Sequence, residues 1–150
     1  MRPSLAVLAA AVLVASPVRA QQPELLGDLA PLSPKKLSRD DLQQLLPGAE
    51  MSRISQRGNT NRWTNDADGT FVISNDKKNA SGVSLMAQRG ATRPGKWHIS
   101  DDGRYGVLIE WKNVDTEEWC RYIFQTTGGY YATKSDAMPT EKVYKLEIKK

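Results

Sequence analysis

Reactive chemistry in this chain would have to start from very few residues. Cys120 and His98 are each the only one of their type among 150 residues, and together they are the sole candidates for a nucleophile and its base. Alternation along the strand turns Trp97 and Ile99 inward and His98 outward, and it puts Cys120 on one face with Tyr122 and Phe124. If that face is the core, thiol and imidazole lie on opposite sides of a sheet, and no catalytic residue is expected. Cys120 then reads as an unpaired thiol, either buried and inert or bridging to a second chain in an oxidising compartment. A single Cys excludes an internal disulfide and a thiolate zinc cluster, and a single His excludes a multi-histidine centre. No metal and no cofactor is expected.

Paired carboxylates are plentiful: Asp66 with Asp68, Asp101 with Asp102, Glu117 with Glu118. Glycoside hydrolysis needs two carboxyl groups facing one cleft, whereas all three pairs fall at turn signals, where aspartates bond their own backbone. No run has the Gly and closing Glu of an EF-hand calcium loop. Arg53, Arg57, Arg62 and Trp63 form a basic-aromatic cluster that could grip anionic glycans or single-stranded nucleic acid by stacking and charge. The same residues suit an outward strand face carrying Arg, with Trp63 in the core. Aromatics concentrate in the second half of the chain. A packed core is the default use for them in a small barrel, and an apolar ligand pocket lined by Trp97, Trp111 and Phe124 is the sharper alternative.

The elements that must position these residues begin after a targeting segment. Arg2 precedes an unbroken run of 11 apolar residues, Leu5 to Ala15, and Val18-Arg19-Ala20 supplies a cleavage site before Gln21. This predicts a secretory signal peptide over 1–20, too short for a membrane span. No Cys follows to carry a lipid, so a free periplasmic or extracellular protein is expected. Removing Arg2 and Arg19 leaves 19 basic and 17 acidic residues, a mature charge of +2. That is too small a charge for a duplex-DNA footprint or a polybasic membrane patch.

Residues 21–37, with Pro23, Pro31 and Pro34, read as an extended leader or linker. Residues 38–150 read as one domain. Ser38 is a fit N-cap, Asp40 and Asp41 suit a first helical turn, Leu42, Leu45 and Leu46 share one face, and Pro47-Gly48 stops the segment, which predicts a short amphipathic helix over 38–46. From Ala49 the period changes to two. Turn signals recur at Arg57-Gly58-Asn59, Asp66 to Gly69, Asn75 to Asn79, Arg93-Pro94-Gly95, Asp101 to Gly103, Asn113 to Thr116 and Thr127 to Gly129. Between them lie strand-like runs such as 70–74, 83–88, 96–100, 105–111, 119–125, 130–133 and 143–148. The expected fold is mainly β: an antiparallel meander curled into a small barrel or strongly bent sheet, with one short N-terminal helix.

Leu45-Leu46-Pro47-Gly48 closing a leader helix, the Asp68-Gly69-Thr70 hairpin, Gly95-Lys96-Trp97, the Asp102-Gly103 turn, Trp111 and Cys120-Arg121-Tyr122 occur in an order that resembles a family of small secreted bacterial proteins. That family is known only as a domain of unknown function, nine-nine-five. The resemblance covers residues 37–133. It implies a compact β-structure of the cell envelope, similar in outline to lipocalin-type and streptavidin-type barrels, and it implies no activity. Members usually carry a Cys shortly after the aspartate-glycine turn that pairs with the later one. Here Arg104 to Leu108 holds none.

The resulting expectation is a non-catalytic, exported β-barrel binding module for a small apolar or amphipathic ligand, or a component that meets another envelope protein. The alternative is an inhibitor or immunity-type module that blocks a hydrolase through a loop such as Ser74 to Ser81 or Arg89 to Lys96. A cavity of a few hundred Å³ would favour the first, a solid interior with a protruding loop the second.

Overall fold

A computed structural model describes residues 21–55, 58–76, 92–111 and 115–150. The signal-peptide segment, the 83–88 run, Arg57, and residues 77–81 and 89–91 of the two candidate inhibitory loops lie outside them. Two short helices precede the sheet: a 3-10 helix over Leu26–Leu32 and α1 over Arg39–Leu45. The strands are β1 (Lys35–Lys36), β2 (Glu50–Ile54), β3 (Thr60–Thr64), β4 (Thr70–Asp76), β5 (Arg93–Ile99), β6 (Tyr105–Ile109), β7 (Glu117–Thr126), β8 (Gly129–Thr133) and β9 (Val143–Lys149). Among the described residues β2 to β9 form an antiparallel up-and-down meander, and β9 returns to pair with β2, closing an eight-stranded barrel. Closure satisfies the edge groups that an open sheet would leave for aggregation. β7 is twice as long as its neighbour, so β6 covers its first half and β1 continues along the same edge.

The two ends of the barrel differ. At one end α1 lies across the opening, its Leu42 and the following cap residue Leu46 fully buried with Leu37, Trp63, Phe71 and Tyr105 in a single core. Ser38 caps α1 reciprocally: the Asp41 N–H donates to Ser38 Oγ (3.1 Å) and the Ser38 N–H to the Asp41 carboxylate (2.9 Å). The polar atoms at this closed end satisfy one another. Asn65 Oδ1 accepts from the Tyr105 hydroxyl (2.7 Å) and from Trp63 Nε1 (3.2 Å), and Asn65 Nδ2 donates to the Leu46 carbonyl (3.2 Å). Burial pushes the Tyr105 hydroxyl pKa up, so it stays a neutral donor here.

Residues 26–32, expected as part of an extended linker, form the 3-10 helix instead. Leu26, Leu29 and Leu32 pack on Phe124, Tyr131 and Val143, on the outer face of β7 to β9, and Leu29 is fully buried. Backbone bonds from Leu26 to Glu141 (2.8 Å) and from Thr127 to Leu32 (3.0 Å) fasten both ends. Pro31 is accommodated because a 3-10 stretch this short loses little to a missing N–H.

Arg93-Pro94-Gly95, expected as a turn, lies inside β5, with Pro94 opposite Val72 and Gly95 opposite Phe71. The glycine is there for contact: a Cβ at 95 would sit 2.2 Å from the Phe71 ring, so the ring lies directly on bare backbone. The turn reading fits the structure for the aspartates but not for Glu117 and Glu118, which open β7 and pair there with Ile109 and Leu108. Asp68 accepts from the Thr70 N–H (3.0 Å), and Asp102 pairs with Arg104 (2.7 Å). The Arg104 bond, helped by the Ser100 hydroxyl, lowers the Asp102 carboxyl to about 2. A folded value below the unfolded one (about 3.9) contributes stability above pH 4 that is lost as pH falls through 2. Asp102→Asn is therefore expected to lower stability modestly at neutral pH and to converge with the wild type as pH falls to 2, which flattens the acid limb of the urea midpoint.

Candidate functional site

The second end of the barrel is lined differently. Register fixes which side chains point inward: Met51 opposes Trp63, Arg53 opposes Asn61, and Asn61 opposes Asn75. Met51 and Trp63 are core residues, so one pleat further along β2, β3 and β4 the lumen receives Arg53, Asn61 and Asn75. From the facing wall, Val107 opposes Trp119 and Ile109 opposes Glu117, and buried Val107 and Ile109 fix Trp119 and Glu117 as inward too. Arg53 and Glu117 form an ion pair. Their strands, β2 and β7, are not neighbours in the barrel, so the pair spans the lumen. Trp111 Nε1 donates to the other Glu117 oxygen (3.0 Å). Burial would raise the Glu117 pKa, but the charge and hydrogen bond of Arg53 outweigh it and hold the carboxyl below the usual glutamate range.

This polar layer is not fully satisfied. Asn61 is 3% exposed, yet its Oδ1 has no hydrogen-bond partner among the described residues, and Asn75 Oδ1, Arg53 Nε and Arg93 Nε share that condition. Buried polar atoms in native structures are almost always paired, and each exception costs about 1–3 kcal/mol. Trp119 lies between two guanidinium groups, Arg53 at 5.5 Å and Arg121 at 5.8 Å from its ring centroid. Arg121 also stacks on the Tyr144 ring at 4.5 Å. Burial and the nearby Arg53 charge lower the Arg121 pKa against the opposing effects of Tyr144 and Glu117.

Beside Arg121 the barrel wall opens. β8 pairs with β7 only from Tyr122 onward, which leaves the first half of β7 bare on that edge. A cleft of about 310 Å³ occupies the gap, lined by Arg121, Lys134, Thr140, Glu141, Lys142 and Tyr144. A larger outer groove of about 520 Å³ crosses β2, β3, β4 and β9. Its Glu50, Asp66 and Glu147 outnumber Arg62 and Lys149, so it offers no excess of positive charge to an anion.

The sequence-predicted site residues disperse. Trp97 and Trp111 pack against the barrel core, whereas Phe124 belongs to the outer cluster under the 3-10 helix, so the three do not line one pocket. Trp97 also donates its Nε1 to the Asp66 carbonyl (2.9 Å) near the closed end. Of the basic-aromatic cluster, Arg53 reaches into the lumen to pair with Glu117, Trp63 packs at the end covered by α1, Arg62 is exposed on the outer face, and Arg57 lies outside the described residues. Odd and even positions of a strand cannot share a face. His98 points outward, as expected, and its ring covers Gly106. Cys120, a free cysteine, is paired with that same Gly106, so thiol and imidazole lie on one outer face rather than on opposite sides. The signal that marks the real polar layer was present in the sequence: Glu117, Trp119, Arg121 and Ile123 alternate, two charges among two apolar residues on one side of a long strand. Among the described residues no group of three or more His, Cys, Asp or Glu side chains is placed to hold a metal ion, and no helix is long and apolar enough to cross a membrane. No protein-family model matches this chain, and no curated protein or solved structure matches it either.

Proposed function

We propose that this protein is an exported, non-catalytic β-barrel binding module whose small ligand is taken at the end of the lumen away from α1, beside the layer of Arg53, Asn61, Asn75 and Glu117. The carrying observation is the Asn61 Oδ1, buried and unpartnered in the polar layer of that end. An acceptor in that condition gains a full hydrogen bond from any ligand donor that reaches it. The closed end supports the same reading by contrast, since every polar atom of Asn65, Trp63 and Tyr105 described there is engaged within the fold. The packed aromatic core leaves the polar layer and the side cleft as the places for a small amphipathic molecule, and the cleft volume falls at the lower end of the range for such sites. Export to the envelope, and kinship with the nine-nine-five family, belong to the same proposal and rest on the residues of the first twenty positions and of 37–133.

Native mass spectrometry of the processed protein from its own compartment tests it. A small molecule retained by the wild type, released on acid denaturation and lost from Asn61→Leu is the expected result. A bare chain alone, together with no binding of the neutral dye Nile red, would defeat the reading.

A further inference from the structure

The side cleft has a chemistry of its own, and resting on the binding-module reading, we infer that it recognises a small organic anion. The carboxylate or phosphate of the ligand pairs with Arg121, and its planar part lies against Tyr144. Arg121 is half-buried, and no carboxylate lies within ion-pairing distance of it among the described residues. The one acid of the lumenal layer, Glu117, is already taken by Arg53. Lys134 and Lys142 add two more cations to the cleft wall, against a single carboxylate, Glu141. A planar guanidinium that no carboxylate occupies is built to hold carboxylate or phosphate oxygens in pairs. Ring contacts hold its position, at 5.8 Å from the Trp119 centroid and 4.5 Å from that of Tyr144. Tyr144 itself is 42% exposed, an unusual state for a ring at an inward-facing strand position, and it leaves an apolar surface next to the charge. Thr140 supplies a hydroxyl at the rim. Cation, flat apolar surface and hydroxyl in one cleft match a ring-bearing anion better than a bare inorganic one.

The test titrates the processed protein with inorganic phosphate, benzoate and phenyl phosphate at constant ionic strength, and follows the Arg121 side-chain Nε–H and Tyr144 ring signals by NMR. Phenyl phosphate or benzoate is expected to shift both signals with a Kd near or below about 1 mM, and inorganic phosphate to bind at least several-fold more weakly. Which of the two aryl anions is tighter separates a phosphate from a carboxylate ligand. Arg121→Lys, which keeps the charge but not the fork, should weaken the better ligand at least tenfold. Tyr144→Leu should bring it down to the level of inorganic phosphate. Each variant is checked for an unchanged circular dichroism spectrum. Unshifted signals with all three anions overturn the inference, and so does Arg121→Lys binding as tightly as the wild type. If Nile red or a retained native ligand still binds in either case, the anion assignment fails alone; if neither binds, the binding-module reading fails with it.

Discussion

Gly95→Ala is expected to destabilise the barrel by about 3 kcal/mol, lowering the Tm by roughly 10 °C. The added methyl would sit 2.2 Å from Cε2 and Cζ of Phe71, and Phe71 is 1% exposed within the core, so its ring cannot swing away without displacing neighbours. Trp63 already holds the ring from another direction at 5.9 Å between centroids. Interiors packed at crystal density transmit such a displacement instead of absorbing it. Phe71→Leu in the same background removes the clashing atoms, so the double variant should lose clearly less stability than the sum of the single losses. Gly128→Ala serves as the control: a methyl there meets Leu32 Cδ1 at 3.6 Å, an ordinary contact. Urea unfolding of the four variants measures all of this, and a loss below about 1 kcal/mol for Gly95→Ala would show that the ring has a second place to go.

Glu117→Gln is expected to cost about 2 kcal/mol at neutral pH. The substitution leaves the Arg53 guanidinium, 22% exposed, without the carboxylate that neutralises it across the lumen. A fully buried pair would cost more to break. Here water reaches both groups, with Glu117 at 31% exposure, and the figure is reduced for that screening. Replacing both partners, as Arg53→Met with Glu117→Leu, should recover most of the loss, because neither charge then needs to be desolvated. The pH dependence follows from sign. The folded carboxyl titrates below its usual value, so the pair stabilises the protein above the unfolded glutamate pKa of about 4.3 and the contribution fades as pH falls through the lower folded value. Wild type and Glu117→Gln should therefore converge in stability under acid, while the apolar pair should show no such convergence. Parallel urea titrations from neutral to acidic pH resolve the three curves.

These two substitutions also mark how far the amino-acid sequence goes unaided. Local chemistry was legible. Ser38 with Asp41 announces the start of α1, Gly69 and Gly103 announce hairpins, and Tyr144, Leu146 and Ile148 alternate with Lys145, Glu147 and Lys149 along the closing strand, because caps, positive φ angles and period-two alternation are properties of a few consecutive residues. Only the tertiary structure decided which side of each strand faces in. On β7 the set Cys120, Tyr122, Phe124 looks like the core side and is the outer one, while Glu117 and Arg121 point inward. Two distant segments reverse the choice: Leu26, Leu29 and Leu32 cover Phe124 from outside, and Arg53 receives Glu117 across the lumen. A one-residue change of parity exchanges every side chain between the two faces, and its energy depends on partners 60 to 100 positions away. The turn reading of Arg93-Pro94-Gly95 gave way for the same reason, since Phe71 needs a bare backbone to lie on. Strands, turns and cap are local; inside and outside, and hence the site, are not.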